Sequence, residues 1–487
     1  MKLIKYIMIT VLSLSLLNCS TSEGTSASAS GSDNSTDTGS VSGTSGTLTS
    51  ADGASIAGAS VTLSQSSSVQ SLTTGNITND NGQYKPLYQT TDADGETCDD
   101  ITDAVSGTII ASDCTSSDGS YSLTAAEVPC GSTLTLTAKK GSFFMSLEVT
   151  LSCTDTDGDG ETTDEVVAMD TLVFDDDCGT TSETDSSFAT TGSPKYTVDS
   201  TSCNFDIANM AVVTGHYDEI ENVLAKLGFG AVDDHGSLDK AQPYDFTLVD
   251  GNNSLDDAEY DNFEDFVSDL DTLNQYDIIF INCGNAQELL ATNPAIIANL
   301  QAYVENGGKL YVTDWSYGFL EQSFSDFMNF LDGGDDHDHA EDHAAAKQGS
   351  GGITVDATIS DQVLSAWLEG VTVNDGSIAD DCSFIEDAAI NAQVGALNAD
   401  GTMTIGDFLG SWVVMEGEHD GLEGDSNIWL SGDIVNGGDD IVDAPLTATQ
   451  DRGDGRILYS SYHTAHSCPT TGFWPQERVL QYLVFEL

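Results

Sequence analysis

The segments YDIIFINCG (276–284) and KLYVTD (309–314) constrain the fold more than any other part of this chain. Each is a short apolar run without polar alternation, the pattern of a strand covered on both faces, as in a parallel sheet packed between helices. Between them, PAIIANLQAYVENGG (294–308) has helical apolar spacing and ends in a Gly pair, which suits a helix C-terminus. The alternation starts upstream: AVVTG (211–215) reads as a strand, YDEIENVLAKLGFG (217–230) as an amphipathic helix closed by Gly228 and Gly230, and DFTLVDG (245–251) as a strand. It finishes with the strand RILYSSYH (456–463) and the helix PQERVLQYLVFEL (475–487). Strands alternating with helices predict an α/β domain with a parallel sheet and right-handed crossovers over 201–487.

The first half obeys a different grammar. Short alternating runs, ASVTL (59–63), YSLTA (121–125), TLTLTA (133–138) and FFMSLEVTL (143–151), are separated by DG, NG and GS turns without helical periodicity. They predict an all-β sandwich over 46–180, joined to the α/β domain by a polar linker at 181–200. GTLTSADGASIAGASVTL (46–63) and TSSDGSYSLTAAEVPCGSTLTLTAKKG (115–141) resemble the opening and closing halves of a carboxypeptidase regulatory-like, transthyretin-type domain. That pattern is a strand, a DG turn, a G-A-x-V strand, then D-G-x-Y and a Pro-Gly-type turn, for which PCG (129–131) stands here. Residues 65–113 would be an insertion.

At the N-terminus, Lys2 and Lys5 precede the apolar run Ile7 to Leu17, too short to span a bilayer and typical of a signal peptide over 1–18. It stops at LLNC, which resembles a bacterial lipobox, although Asn18 stands where Gly, Ala or Ser is usual. The resemblance implies cleavage before Cys19 and its acylation, with two or three acyl chains giving stable anchorage. Residues 19–45 are rich in Ser, Thr and Gly and read as a flexible tether. An extracytoplasmic, lipid-anchored protein at an outer membrane or cell surface follows, with the membrane as one partner and a surface polymer or protein as another.

Charge sets the excluded partners. Thirteen Lys and Arg against 80 Asp and Glu give −67, which repels nucleic acid and anionic membrane surfaces. The chain has ten Cys. In an oxidising compartment most of those beyond Cys19 should pair. The expected pairs are Cys98 with Cys114, Cys130 with Cys153 and Cys382 with Cys468, with Cys283, inside an apolar strand, left free.

Ligands of open α/β sheets bind beyond the carboxyl ends of the strands. This places His216, Cys283, Gly284, Asn285, Asp314, Trp315, Ser316, His463 and His466 at that edge. The elements over 207–487, above all AVVTGHYDEIENVLAKLGFG, YDIIFINCGN, YVENGGKLYVTDWSYGF and GRILYSSYHTAHS, resemble the class I glutamine amidotransferase-like superfamily, including its trehalose-utilisation (ThuA-like) branch. The resemblance implies a flavodoxin-like sheet. It also implies an elbow after KLYVT where active amidotransferases carry a nucleophilic Cys within G-x-C-x-G; here the residue is Asp314, in TDWS. Their His-x-Glu pair is met by His463, but Ala465 holds the Glu position, and Cys283-Gly284-Asn285 fills the oxyanion loop. Thiol acyl transfer needs a thiolate, a base and a carboxylate to orient it. The resemblance therefore implies a catalytically degenerate domain, a pseudoenzyme. Asp314 is expected to cap a helix over 316–331, or with His463 to hold a cation or polar solute. Cys283 reads as a buried small hydrophobe, or as half of a Cys/His dyad.

Two acidic segments suggest metal. DDHDHAEDH (335–343), in an insertion over 332–352, offers His337, His339 and His343 with Asp335 and Asp336 to a zinc-like ion. In DTDGDGETTDE (155–165), Asp155, Asp157 and Asp159 followed by Gly160 match the first half of an EF-hand-style loop, with Asp164 as a further candidate. The closing acid is missing, because position twelve is Val166. The segment is a weak calcium loop or a solvated turn. No cofactor is required, and Ca²⁺ and Zn²⁺ are the candidate ions.

Three functions compete: a non-enzymatic binding module, for carbohydrate or another surface polymer; a divergent hydrolase acting through Asp314, Cys283 and His463; and a surface metal-binding protein working through the His strip.

Overall fold

The computed structural model describes residues 38–65, 89–91, 97–99, 105, 107–129, 132–152, 166–168, 171–175, 178–179, 195–255, 259–285, 288–330, 349–375, 393–408, 412–418, 424–436, 439–465 and 470–487. Cys19, the calcium candidates Asp155, Asp157, Asp159 and Asp164, the strip His337, His339, His343, Asp335 and Asp336, and His466 lie outside them. So do Cys130, Cys153, Cys382 and Cys468.

The N-terminal region is two β-sheets. In one, Thr38–Ser50 pairs antiparallel with Ser120–Pro129 and parallel with Val166–Ala168 and Leu172–Phe174. The other is antiparallel throughout, in the order Lys195–Asp206, Phe143–Ser152, Thr133–Lys140, Ser60–Gln65, Thr108–Cys114. The alternation of TLTLTA turns Leu134 and Leu136 inward, where they join Val61, Leu63, Leu147 and Val149 against Leu48, Tyr121 and Leu123 of the first sheet. In the DG turn, Gly119 has φ +75°, and a Cβ there would stand 2.5 Å from the Leu48 carbonyl oxygen, so the sequence needs Gly at this point.

Two expected boundaries move. Residues 38–45, assigned to the tether, lie in the strand Thr38–Ser50, and residues 195–200, assigned to the linker, lie in Lys195–Asp206. The physical reason is the same in both: backbone N–H and C=O groups complete ladders against existing strands, Thr38–Ser50 on Ser120–Pro129 and Lys195–Asp206 on Phe143–Ser152. Cys98 and Cys114 are disulfide-bonded, Cα atoms 5.4 Å apart. A further bridge joins Cys178 to Cys203, a pair not assigned from the sequence, and Cys283 is a free, buried thiol.

The C-terminal region is built on a ten-stranded sheet. Its parallel part runs from the two-residue edge strand Asp261–Asn262 through Thr247–Asp250, Met210–Val213, Ile278–Ile281 and Lys309–Thr313 to Gly455–Ser460. Setting the two-residue edge strand aside, the five longer strands numbered along the chain follow the order 2-1-3-4-5 of flavodoxin-like sheets. Every residue of Ile278–Ile281 and Lys309–Thr313 is buried, as the unbroken apolar runs require. On the far side, unexpected from the sequence, Asp439–Arg452, Asn427–Asn436, Ile353–Ile359 and Met403–Phe408 extend the sheet antiparallel.

The expected helix over 316–331 is replaced by a 3₁₀ turn at Asp314–Ser316, one α-turn at Gly318–Glu321 and a strand residue pair Asn329–Phe330. Tyr317, Phe319, Leu320, Phe324, Phe327, Met328 and Phe330 are all buried in one cluster. A straight helix carries a single apolar stripe, so it could not bury so many closely spaced large residues against one neighbour.

The two regions share one hydrophobic core. Phe143 of the sandwich packs on Phe229 and on Phe485 of the C-terminal helix Pro475–Glu486, with ring centroids 5.6 and 4.8 Å apart. Around that contact Arg478 Nη1 donates to Asp52 Oδ2 (2.7 Å), Gln481 Nε2 to Asp52 Oδ1 (2.8 Å), and Lys309 Nζ to Ser142 Oγ (3.1 Å).

Candidate functional site

The strands Met210–Val213 and Ile278–Ile281 are neighbours at the point where the strand order reverses, the place where open α/β sheets gather functional groups beyond their carboxyl ends. Four segments meet there: Thr214–Asp218, Asn282–Asn285, Asp314–Ser316 and Ser461–Ala465. The first two are pressed together. His216 N–H donates to the Cys283 carbonyl (3.0 Å), and a Cβ on Gly215 would lie 2.2 Å from that oxygen, so only Gly fits. Ser316 ties the elbow to the same loop, its hydroxyl donating to Asn282 O (2.7 Å) and accepting from Asn285 N–H (3.2 Å).

Asp314 sits at the elbow in left-handed backbone, φ +40°. That conformation costs a non-glycine residue roughly 1–2 kcal/mol. Its carbonyl accepts from Tyr459 Oη (3.0 Å) and Tyr317 N–H (2.9 Å). The expected helix cap is not what its side chain does. Oδ1 accepts the Val413 N–H (2.8 Å), while Oδ2 accepts from Cys283 Sγ (3.5 Å) and lies 3.1 Å from His463 Nε2. The left-handed turn swings the carboxylate across the strand ends, away from the amides of the turn that follows.

Cys283, Asp314 and His463 are 1%, 3% and 2% exposed, and their ligand atoms all lie within 4.8 Å of one another. Burial, and then the neighbouring Asp314, pushes the Cys283 thiol well above the ordinary range, so it rests as S–H. Beside His463 is a second carboxylate, Asp218. Burial raises its pKa, against the charge of His463 and the N–H groups of Thr464 (3.0 Å) and Ala465 (2.9 Å), which bond its two oxygens. Glu221, one helical turn on, is pushed up to about 7, chiefly by burial, and accepts from Asn282 Nδ2 (2.9 Å). The exposed ring of Tyr217 lies parallel to His463, at 7° and a centroid distance of 6.5 Å.

Of the residues expected at this edge, the structure therefore brings together Cys283, Asp314 and His463. Asn285 is buried but spends its amide on the Asn282 and Thr214 carbonyls (2.8 and 3.3 Å), a loop-shaping role. His216 is exposed and faces Tyr217, and Trp315 is half-buried with its ring near Tyr317. Sequence reasoning missed Asp218 and Glu221 because DEIENVL reads as the acidic first turn of a helix. The position of Asp218, just past a buried strand and two residues from His216, was the signal available. It also supplies what Ala465 lacks: a carboxylate near His463 arrives from another strand end.

The elbow offers a carboxylate, and the thiol is protonated and enclosed. No protein-family model matches the chain, and no curated protein sequence matches it. Similar solved structures include the cytoplasmic protein STM3548 from Salmonella typhimurium, at 9% identity over 57% of this chain and 98% of that one, with a TM-score of 0.31. Gan42B, a GH42 beta-galactosidase, is similar at 10% identity over 61% of this chain and 30% of its own, with a TM-score of 0.27.

Proposed function

We propose that this chain is a membrane-tethered, extracytoplasmic binding protein whose α/β region uses the elbow site to hold a ligand and not to perform amidotransferase chemistry. The observation that carries the reading is the Asp314 carboxylate: it stands where a nucleophile would, with one oxygen bonded to Val413 N–H and the other facing Cys283 and His463. Left-handed backbone at a buried, polar strand end is a feature that persists where a site demands it. The tether rests on the signal-like run Ile7 to Leu17 and on Cys19. A surface polymer such as a glycan remains the partner proposed for the whole molecule.

Full-length protein is expected to show no glutaminase or esterase turnover; turnover lost in Asp314→Ala or His463→Ala would sink the reading. Cys19→Ser should move the protein from the membrane to the soluble fraction. One observation favours the hydrolase alternative: Glu221, with a pKa of about 7, is a proton acceptor matched to neutral pH.

A further inference from the structure

We propose that Cys283 Sγ, Asp314 Oδ2 and His463 Nε2 form a three-ligand site for a thiophilic divalent metal ion of the zinc class. This names the ligand of the elbow site and rests on the binding reading above. One sulfur, one nitrogen and one oxygen donor is a set that suits zinc and is foreign to calcium or magnesium. A tetrahedral ion with bonds of about 2.0–2.3 Å separates its ligand atoms by roughly 3.3–3.8 Å. Here Nε2 and Oδ2 are 3.1 Å apart and Sγ and Oδ2 3.5 Å, with all three atoms within 4.8 Å of one another, so an ion would need only side-chain adjustment.

The three ligands follow three adjacent parallel strands, Ile278–Ile281, Lys309–Thr313 and Gly455–Ser460, which fixes their spacing through the sheet. Around them stands a supporting shell. Asp218 lies beside His463 and anchors its loop by accepting the Thr464 and Ala465 N–H groups, which fixes the backbone that carries the histidine. Asn282, wholly buried and next to Cys283, holds this loop by donating through Nδ2 to the Asp218 carbonyl (3.1 Å) and Glu221 Oε2 (2.9 Å). Three protein ligands leave the fourth position of the ion for water or an exogenous ligand. On binding, the S–H bond of Cys283 breaks, its electron pair forms the S–metal bond and the proton passes to solvent; thiolate and carboxylate together balance the dication.

The test is a Co²⁺ titration of the full chain carrying Cys19→Ser and Ala at His337, His339 and His343, which removes the tether thiol and the competing strip. The expected result is a thiolate-to-cobalt charge-transfer band saturating at one equivalent, absent in Cys283→Ser, and an affinity at least tenfold weaker in Asp314→Asn and in His463→Ala. Should Cys283→Ser fail to fold, X-ray absorption of the zinc-loaded parent decides, with one sulfur and two nitrogen or oxygen protein ligands expected. No charge-transfer band, a band that survives Cys283→Ser, or a zinc shell without sulfur would overturn the assignment. If the assignment fails while the protein stays inert to glutamine and ester substrates, the binding reading survives; turnover dependent on Asp314 would instead remove that reading.

Discussion

Asp314 combines a left-handed backbone with a buried carboxylate, and the two can be separated by substitution. Asp314→Ala keeps φ near +40° while leaving the Val413 N–H without its acceptor, and is expected to cost about 2–4 kcal/mol. Asp314→Gly loses the same bond but accepts the backbone freely, so it should be about 1 kcal/mol the more stable of the two. Urea midpoints at constant m measure the difference, and equal midpoints would show that the turn stores no strain. Glu221 gives a pH signature. Its pKa rises from 4.5 to about 7 on folding, so above 4.5 the unfolded chain releases this proton more readily than the folded one. Its contribution therefore lowers stability as pH climbs from 4.5 to 7, by about 3 kcal/mol when complete. Glu221→Gln should remove that slope and melt higher than the parent above pH 7, by calorimetry across pH 4–8; parallel profiles would contradict it.

The C-terminal helix Pro475–Glu486 is buried from Gln476 to Phe485. Glu477 Oε2 accepts Trp474 N–H (2.9 Å) at its start and also receives Lys226 Nζ (2.6 Å), with both charged side chains 1% exposed. A buried pair contributes little compared with an apolar replacement, yet removing one partner strands the other charge. Glu477→Ala should thus destabilise by about 3–5 kcal/mol in chemical denaturation, and Lys226→Met with Glu477→Leu by much less. Elements also mark where sequence reading succeeded. Ile278–Ile281 and Lys309–Thr313 were legible because a strand covered on both faces must be apolar throughout. The segment after Asp314 was not, because its aromatic residues bury in several directions and leave no periodic stripe.

On the scale of the whole molecule, the β-sandwich and the α/β region melt as one unit if their shared core and the Arg478–Asp52–Gln481 contacts hold. Calorimetry of the full chain should give a single transition for the folded body, whereas a chain starting near residue 207 would expose Phe229 and Phe485 and is expected to aggregate. Net charge acts at the same scale. With −67 on the chain, raising NaCl from about 0.01 M to about 0.5 M shortens the screening length several-fold and should raise the melting temperature; a fall would mean that local ion pairs outweigh the general repulsion.

By itself, the sequence determined the two grammars of the chain, the parallel strands and the carboxyl edge at which chemistry would gather. Periodicity and composition are local properties, and they suffice to say which faces of a segment must be buried. Only the tertiary structure decided which of the residues at that edge meet, and added Asp218 to them. Asp218, Cys283, Asp314 and His463 lie far apart along the chain, and their meeting depends on strand order and on the left-handed turn at Asp314. The same holds for the four antiparallel strands and for the sandwich docked on the C-terminal helix. Those features are fixed by long-range packing, which leaves no local pattern to read.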